Sequence, residues 1–176
     1  MKKILATIIL AIFTTAAFAE DAKNSTYVDI GYTMLTYTDS GTDFSPGAVR
    51  LIVGNNTSSN FGYEGMLGAG VASSSKTVSG VSFKTTIPTF YGIYGKAFAN
   101  LSNEVEVFGR LGWAGFNREI TPTRTTSNSG SGFSYGVGAK FSISKTMTIS
   151  ADYMSYYPTK NTVGLSGYTI GAGFSF

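Results

Sequence analysis

Past its first two dozen residues the chain alternates apolar and polar side chains with a period of two, in runs of about ten residues, which is the signature of half-buried strands. STYVDIGYTMLTY sets Val28, Ile30, Tyr32 and Met34 against Asp29, Gly31 and Thr33. GAVRLIVG sets Val49, Leu51 and Val53 against Arg50, and FGYEGMLGAGV sets Phe61, Tyr63, Leu67 and Val71 against Gly62, Glu64, Gly68 and Gly70. IPTFYGIYGKAFA reads less cleanly, with Tyr91, Ile93 and Ala97 opposite Gly92, Tyr94 and Lys96. EVEVFGRLGWAG places Val105, Val107, Leu111 and Trp113 opposite Glu106, Arg110 and Gly112. GFSYGVGAKFS opposes Phe133, Tyr135, Val137 and Phe141 to Ser134, Gly136, Gly138 and Lys140. MTISADYMSYY opposes Met147, Ile149, Ala151 and Tyr153 to Thr148, Ser150 and Asp152. GYTIGAGFSF ends the chain with Tyr168, Ile170, Ala172, Phe174 and Phe176 opposite Thr169, Gly171, Gly173 and Ser175.

These eight strands are joined by connections of alternating length. NNTSSN, NLSN and SKT are short, whereas TDSGTD, SSSKTVSGVSFKT, NREITPTRTTSNSGS and PTKNT are longer or rich in turn residues. If successive strands are antiparallel, all short turns fall at one end and all long loops at the other. The pattern predicts an all-β, eight-stranded, up-and-down antiparallel barrel.

The first residues break the alternation. MKKILATIILAIFTTAAFA opens with Lys2 and Lys3, runs apolar from Ile4 to Phe13 and ends Ala17-Phe18-Ala19. That is the layout of a secretory signal peptide, and a membrane anchor would need an apolar run nearer about 20 residues. Residues 1–19 are expected to be cleaved after export through the Sec pathway, leaving residues 20–176 as one domain. The chain has no cysteine, which excludes disulfide staples and lipid attachment at a new N-terminal Cys. Of its 13 Lys and Arg, two lie in the leader, leaving 11 against 10 Asp and Glu, so nucleic acid is a poor partner.

Composition decides which face of the barrel looks inward. Only 13% of residues are charged, about half the usual share, while 14% are aromatic and 22 are glycine. A soluble, lipocalin-like carrier would turn its charged face to water and hold several charges per strand. Here the polar face carries about one each: Asp29, Arg50, Glu64, Lys96, Glu106, Arg110, Lys140 and Asp152, four acids with four bases. Most strand glycines share that face, suiting the narrow interior of eight strands. The opposite face carries rings expected at membrane interfaces, such as Tyr27 or Tyr32, Trp113, Tyr153 and Tyr168. A membrane barrel with its charges in the lumen follows. Turning Arg50, Lys96, Arg110 and Lys140 to lipid by a one-residue slip would cost roughly 2–4 kcal/mol each at midplane, so register is well specified.

A closed barrel in lipid must pair its last strand with its first, which makes the C-terminus a seam. Thr169, Gly171, Phe174 and Phe176, in TIGAGFSF, also resemble the C-terminal assembly signal of bacterial outer-membrane barrels. With the leader and the eight alternating runs, the whole mature chain resembles the small eight-stranded barrels of the OmpA-transmembrane-domain and OmpX-like group. No peptidoglycan-binding domain of the kind full OmpA carries after its barrel is expected. The resemblance implies residence in the bacterial outer membrane, contact with its lipid, and assembly by periplasmic chaperones and the barrel-insertion machinery.

Some barrels resembling this one are enzymes that depend on a histidine as base or water activator. This chain has no histidine, so catalysis is not expected, nor is a cofactor. The nearest carboxylate pair, Glu104 and Glu106, reads as a turn residue beside a lumen ion-pair partner. Asp39-Ser40-Gly41-Thr42-Asp43 could offer oxygens to Ca²⁺ but lacks the further acidic ligands of a strong site, and reads as a solvated turn. Lys76, Lys84, Arg118, Arg124 and Lys160 lie in the long connections and could meet lipopolysaccharide phosphates or an acidic host-surface polymer, or could merely solvate the rim. The lumen charges read as an ion-paired plug, in which strand adjacency permits Arg50 with Glu64, and Arg110 with Glu106 or a charge on a facing wall. A structural or surface-interaction role through the long loops is expected, with a narrow small-solute channel and a soluble periplasmic carrier as alternatives.

Overall fold

A computed structural model of the chain describes residues 25–78, 80–121, 126–160 and 163–176. The predicted leader therefore lies outside the described residues, as does Arg124. Ten strand segments follow in order: β1 Ser25–Asp39, β2 Thr42–Phe44, β3 Gly47–Asn56, β4 Phe61–Ala72, β5 Ser74–Val78, β6 Val81–Asn100, β7 Val105–Thr121, β8 Thr126–Ser142, β9 Met147–Lys160 and β10 Val163–Ser175. Ser45–Pro46 interrupts one wall strand between β2 and β3, and residue 73 interrupts another between β4 and β5, so ten segments make eight staves. Each stave pairs antiparallel with its neighbours in chain order, and β10 pairs with β1 from Tyr27↔Ser175 to Asp39↔Val163. The barrel is closed, and the Phe176 N–H donates to the Thr26 carbonyl at 2.9 Å, so the last residue belongs to the seam.

The two faces separate as the alternation predicts. Ile93 is 71% exposed, and Leu67, Leu111, Trp113, Val137 and Ile170 also point outward. Arg110 and Lys96 are each 2% exposed, inside the wall. Apolar side chains outside and charges inside reverse the pattern of a soluble carrier barrel.

The short connections share one device. In residues 57–60, 101–104 and 143–146 the second residue is Ser58, Ser102 or Ser144. Its hydroxyl accepts from two backbone N–H groups, those of Asn60 and Phe61, Glu104 and Val105, or Thr146 and Met147. A serine side chain thus satisfies donors that the tight turn leaves free.

At the other end the long connections differ from expectation, because most of their length is strand. β1 reaches Asp39 and turns on Ser40 and Gly41, both at positive φ (50° and 81°), directly into β2. β5 and the start of β6 form a hairpin around Gly80, and β7 and β8 continue to Ile120↔Thr126. These segments are rich in Ser and Thr, and extending the ladder pairs backbone donors that an open loop would leave to water. A crossing strand needs about 9–11 residues, and β6 has 20 while β7 and β8 have 17 each, so this wall rises well beyond a bilayer.

The less clean reading around IPTF has a cause. Thr86 pairs with Glu119 and Thr89 with Asn117, so β6 holds one extra residue there. The bulge switches faces: Tyr94, Gly92 and Phe90 point inward below it, and Ile87 and Thr85 above it.

Glycines on the inner face hold space that a methyl group would fill. A Cβ on Gly112 would press on the Ile93 carbonyl and lie 2.8 Å from the Tyr94 ring, whereas one on outward Gly65 would meet nothing nearer than Val53 O at 4.0 Å. Gly112→Ala is expected to destabilise the barrel by about 1–3 kcal/mol through overpacking, with Gly65→Ala close to neutral. Urea midpoints in lipid vesicles measure both.

Candidate functional site: the filled lumen and the outer mouth

Inward residues of the lower half, nearer the short turns, build a buried charge network. Arg50 on β3 reaches across to Asp152 on β9, with Nη1 2.9 Å from Oδ1, and its Nη1 also donates to the Tyr156 hydroxyl at 3.0 Å. Arg110 on β7 holds two carboxylates: Nε and Nη2 face Glu64 on β4, and Nη1 lies 2.9 Å from Asp152 Oδ2. Asp152 thus bridges two guanidinium groups, and the four charges sum to zero. Below them Lys96 lies 2.8 Å from Glu106, and Lys140 lies 2.8 Å from Asp29. The Lys140–Asp29 contact is a close ion pair without hydrogen-bond alignment, since both Asp29 oxygens lack such a partner. Tyr27 joins the two groups. Its hydroxyl donates to Glu64, and its ring lies 3.8 Å from Lys140 Nζ and 5.0 Å from Lys96 Nζ.

The room for these long side chains is made by glycine. Asp29 stands opposite Gly173, Arg50 between Gly31 and Gly68, and Glu64 opposite Gly54. Lys96 stands opposite Gly62, Arg110 opposite Gly136, and Asp152 opposite Gly138. Six of the eight charges therefore have a cross-strand neighbour without a side chain, and each can lean over it into the lumen. Lys96 and Arg110 are direct cross-strand neighbours, a repulsive pairing unless each finds its own carboxylate. They diverge, Arg110 toward Glu64 and Asp152, Lys96 toward Glu106.

Above the charges the lumen is aromatic and apolar. Tyr37, Phe90, Phe116, Tyr156, Leu35, Ile87, Met154 and Leu165 are fully buried or nearly so, with Phe44 and Ala48 beside them. Phe90 meets Tyr156 edge-on at 5.0 Å. Below the charges a recess of about 140 Å³ at the short-turn end, lined by Asn56, Lys96, Glu106, Lys140 and Lys145, reaches up to Tyr27.

The structure corrects several sequence-based expectations. Tyr27 is not an outer-face ring but a buried member of the network; it shares the parity of Asp29, which was the available signal. Arg50 pairs with Asp152 and not Glu64, because its cross-strand neighbour on β4 is Gly68, four positions from Glu64. For Arg110 the facing-wall alternative holds: it pairs with Glu64 and Asp152, and Glu106 belongs to Lys96. Tyr156, unremarked in the sequence, lies on the parity of Asp152, and its hydroxyl oxygen accepts from Arg50 Nη1.

Arg118 also differs from a free loop cation. It shares the inward parity of Arg110, binds Asp39 at 2.6 Å across the mouth, and lies 5.2 Å from the Tyr37 ring centroid. The second turn carboxylate, Asp43, accepts from the Thr38 hydroxyl at 2.6 Å. Both carboxylates of the weighed Ca²⁺ turn thus have protein partners, and no metal-ligating cluster occurs among the described residues. Glu104 accepts from Ser102 at 3.0 Å in its turn. Lys76 on β5 and Lys84 on β6 are exposed, while the Lys160 side chain lies outside the description. At the seam, Thr169 meets Thr33 hydroxyl to hydroxyl at 2.9 Å, Gly171 lies against Gly31, and Phe174 and Phe176 pack edge-on at 5.1 Å on the outer face.

With closure, inverted polarity and a filled lumen established, comparison with known proteins is decisive. The model of the outer membrane protein beta-barrel domain family matches residues 5–176. The chain belongs to that family. It is an outer-membrane β-barrel protein of the bacterial outer membrane, and its exposed girdle of Leu, Ile, Val and aromatic residues is its lipid contact. Among solved structures it resembles Ail, the attachment invasion locus protein of Yersinia pestis, in complex with the heparin analogue sucrose octasulfate. That match has 18% identity over 88% of this chain and 99% of that chain, at a TM-score of 0.66. It also resembles Neisserial surface protein A, with 11% identity over 86% and 97% of the two chains and a TM-score of 0.67. The N-terminal barrel domain of Pseudomonas aeruginosa OprF gives 13% identity over 88% and 98%, at 0.58. At such identities the likeness is one of fold. No curated protein matches the chain.

For a family member with this interior, removing one cation strands a carboxylate in a dry lumen. Arg50→Met is expected to cost roughly 3–5 kcal/mol, and Arg110→Met at least as much because it deprives two carboxylates. Lys76→Ala, on the exposed hairpin, is expected to leave stability unchanged. Urea midpoints in vesicles separate the three.

Proposed function

We propose that this barrel is a non-enzymatic envelope protein that works at the cell surface through its tall outer strands, and that it is not a conducting pore. The observation carrying this reading is the lumen itself. Arg50, Arg110, Glu64 and Asp152 satisfy one another, and a layer of buried aromatic and apolar side chains packs above them. A route would require breaking paired, buried charges, each break costing several kcal/mol. Absence of histidine argues against the hydrolytic and acyl-transfer chemistry of enzymatic barrels.

The contact chemistry we favour is with polyanions, either lipopolysaccharide phosphates or an acidic host polymer. Lys76 and Lys84 are exposed on the outer hairpin, and Arg124 and Lys160 belong to the later long connections of the sequence. Ail, of the same fold, was solved with a sulfated heparin analogue, which makes this chemistry plausible for the scaffold. Arg118 is withdrawn from the set by its pairing with Asp39. Export through the Sec pathway after removal of residues 1–19, and reading of Thr169, Gly171, Phe174 and Phe176 by periplasmic chaperones and the barrel-insertion machinery, complete the proposed route.

Two measurements test this. Protein in nanodiscs should bind sucrose octasulfate, and Lys76→Glu with Lys84→Glu should weaken binding about fivefold or more, with weaker binding also at higher salt. Binding that is absent, or indifferent to both changes, removes the polyanion reading. Planar-bilayer recordings should show no steady conductance; stable channels would restore the small-solute alternative.

A further inference from the structure

The lumen charges are not equally satisfied. Around Arg50 and Arg110 every oxygen of Glu64 and Asp152 accepts from a side-chain donor. At the short-turn end, Asp29 Oδ1 and Oδ2, Glu106 Oε1 and Asn56 Oδ1 are shielded from solvent with no donor among the described residues. Lys140 and Lys96 stand 2.8 Å from Asp29 and Glu106 but out of hydrogen-bond alignment. All four oxygens are acceptors. Shielded polar groups seldom stay unpaired, so this end of the lumen fits something that donates.

The recess of about 140 Å³ is where these atoms meet. Asn56, Glu106, Lys96 and Lys140 line it, and Asp29 lies against Lys140 behind them. Lys145 stands at its rim, exposed on its turn and without a carboxylate partner among the described residues. An occupant must therefore bring donors for the inner oxygens and negative charge for the rim.

The chain itself supplies a segment of that kind. Removal of residues 1–19 leaves Glu20-Asp21-Ala22-Lys23-Asn24 ahead of β1, outside the described residues, with an α-ammonium and two carboxylates in its first two positions. It joins β1 at Ser25, whose hydroxyl accepts from Asn56 Nδ2 at 3.1 Å, so it starts at the recess. From Ser25 up to Asp29 is about 13 Å of strand at about 3.3 Å per residue. Five extended residues span at most about 17 Å, so the free end can reach that depth. We infer that the N-terminal segment of the processed chain folds back into the recess. Its α-ammonium donates to the oxygens of Glu106, Asn56 and Asp29, and the carboxylates of Glu20 and Asp21 meet Lys145. The inference rests on the proposed removal of residues 1–19, because before cleavage Glu20 has no α-ammonium. A tether this short holds the segment at an effective concentration on the order of millimolar, so contacts too weak for a free peptide suffice. A small periplasmic zwitterion is the poorer occupant, since it has to displace that tethered competitor.

Mass spectrometry of the protein taken from outer membranes reads the processing separately: a start at Glu20 is expected, and a retained leader removes the premise. A chain made to begin at Glu20 and folded in nanodiscs then tests the docking itself. The sequence has no cysteine, so Ala22→Cys can be combined with Thr148→Cys, which lines the recess, or with Met147→Cys, its neighbour on the lipid face. Oxidation should join the first pair about tenfold faster than the second, or more. Glu20→Gln with Asp21→Asn, or Lys145→Ala alone, should keep the barrel's gel shift on boiling. Either change should slow that joining about fivefold and speed trypsin's cut after Lys23 by a similar factor. Equal joining to both faces overturns the inference. So does fast joining to Thr148→Cys that ignores both charge changes, which would be the work of the tether alone. Binding of O-phosphoethanolamine, a small zwitterion, that appears only when the chain begins at Asn24 supports the segment as occupant. Equal binding with and without residues 20–23 gives the recess to the solute instead.

Discussion

Everything in this barrel depends on eight charges that cannot be left alone. In water a lysine or carboxylate is solvated wherever it points; between an eight-stranded wall and a layer of rings it must find its counter-charge or bear a large desolvation cost. The arrangement that satisfies them is tightly specified. Arg110 reaches Glu64 and Asp152 only when β4, β7 and β9 are set at one mutual stagger, and Arg50 reaches the same Asp152 from a third direction. Shifting any of these strands by one residue would break the pairs and turn charges to lipid as well. The same residues that fill the lumen thus fix the register of the wall. Glycine opposite Asp29, Arg50, Glu64, Lys96, Arg110 and Asp152 is the steric counterpart of that rule. A larger neighbour would fill the space into which each side chain leans.

Much of this was legible from the alternation, because in a barrel parity is position. Strand number, closure, which residues face lipid and which eight charges face the lumen all follow from a period of two and a dearth of charge. The pairings were not legible. Cross-strand adjacency suggested Arg50 with Glu64, yet the decisive contacts run across the lumen between strands distant in the chain, and those depend on stagger, which no local pattern encodes. Tyr27 and Arg118 are a different kind of miss. Their parity with Asp29 and Arg110 already put them inside, but an aromatic near a strand end and a basic residue near a long connection invited interface and loop readings. The outer connections were misread for a third reason. Ser, Thr and Gly mark turns in a single sequence, but where two such stretches run side by side they extend the ladder.

Stability and surface chemistry are separated along the barrel axis. The charge network sits toward the short turns, whose serine-capped geometry repeats at Ser58, Ser102 and Ser144. The rings of Tyr37, Phe90, Phe116 and Tyr156 lie between that network and the outer strands. Residues beyond the rings, such as Lys76 and Lys84, touch none of the lumen charges, so they can vary without disturbing register. Arg118 and Asp39 mark the boundary, a mouth ion pair with 15% and 28% side-chain exposure, held more by local geometry than by the demands of a dry interior.

The β9 bulge links the two regions. Tyr156 serves the lumen, supplying Arg50 with a hydroxyl and Phe90 with a ring, on the parity of Asp152, and the insertion brings Tyr157 inward beside it, onto Phe116. The strand is bent by that insertion, and above it β8 loses its partner. The open outer edge is therefore a consequence of how the interior is filled. A barrel whose β9 lacked the insertion would still turn Tyr156 to Arg50 but would turn Tyr157 outward, uncovering Phe116. Covering Phe116 with Tyr157 and leaving the β8 edge unpaired are in this sense one structural choice, made at a single residue.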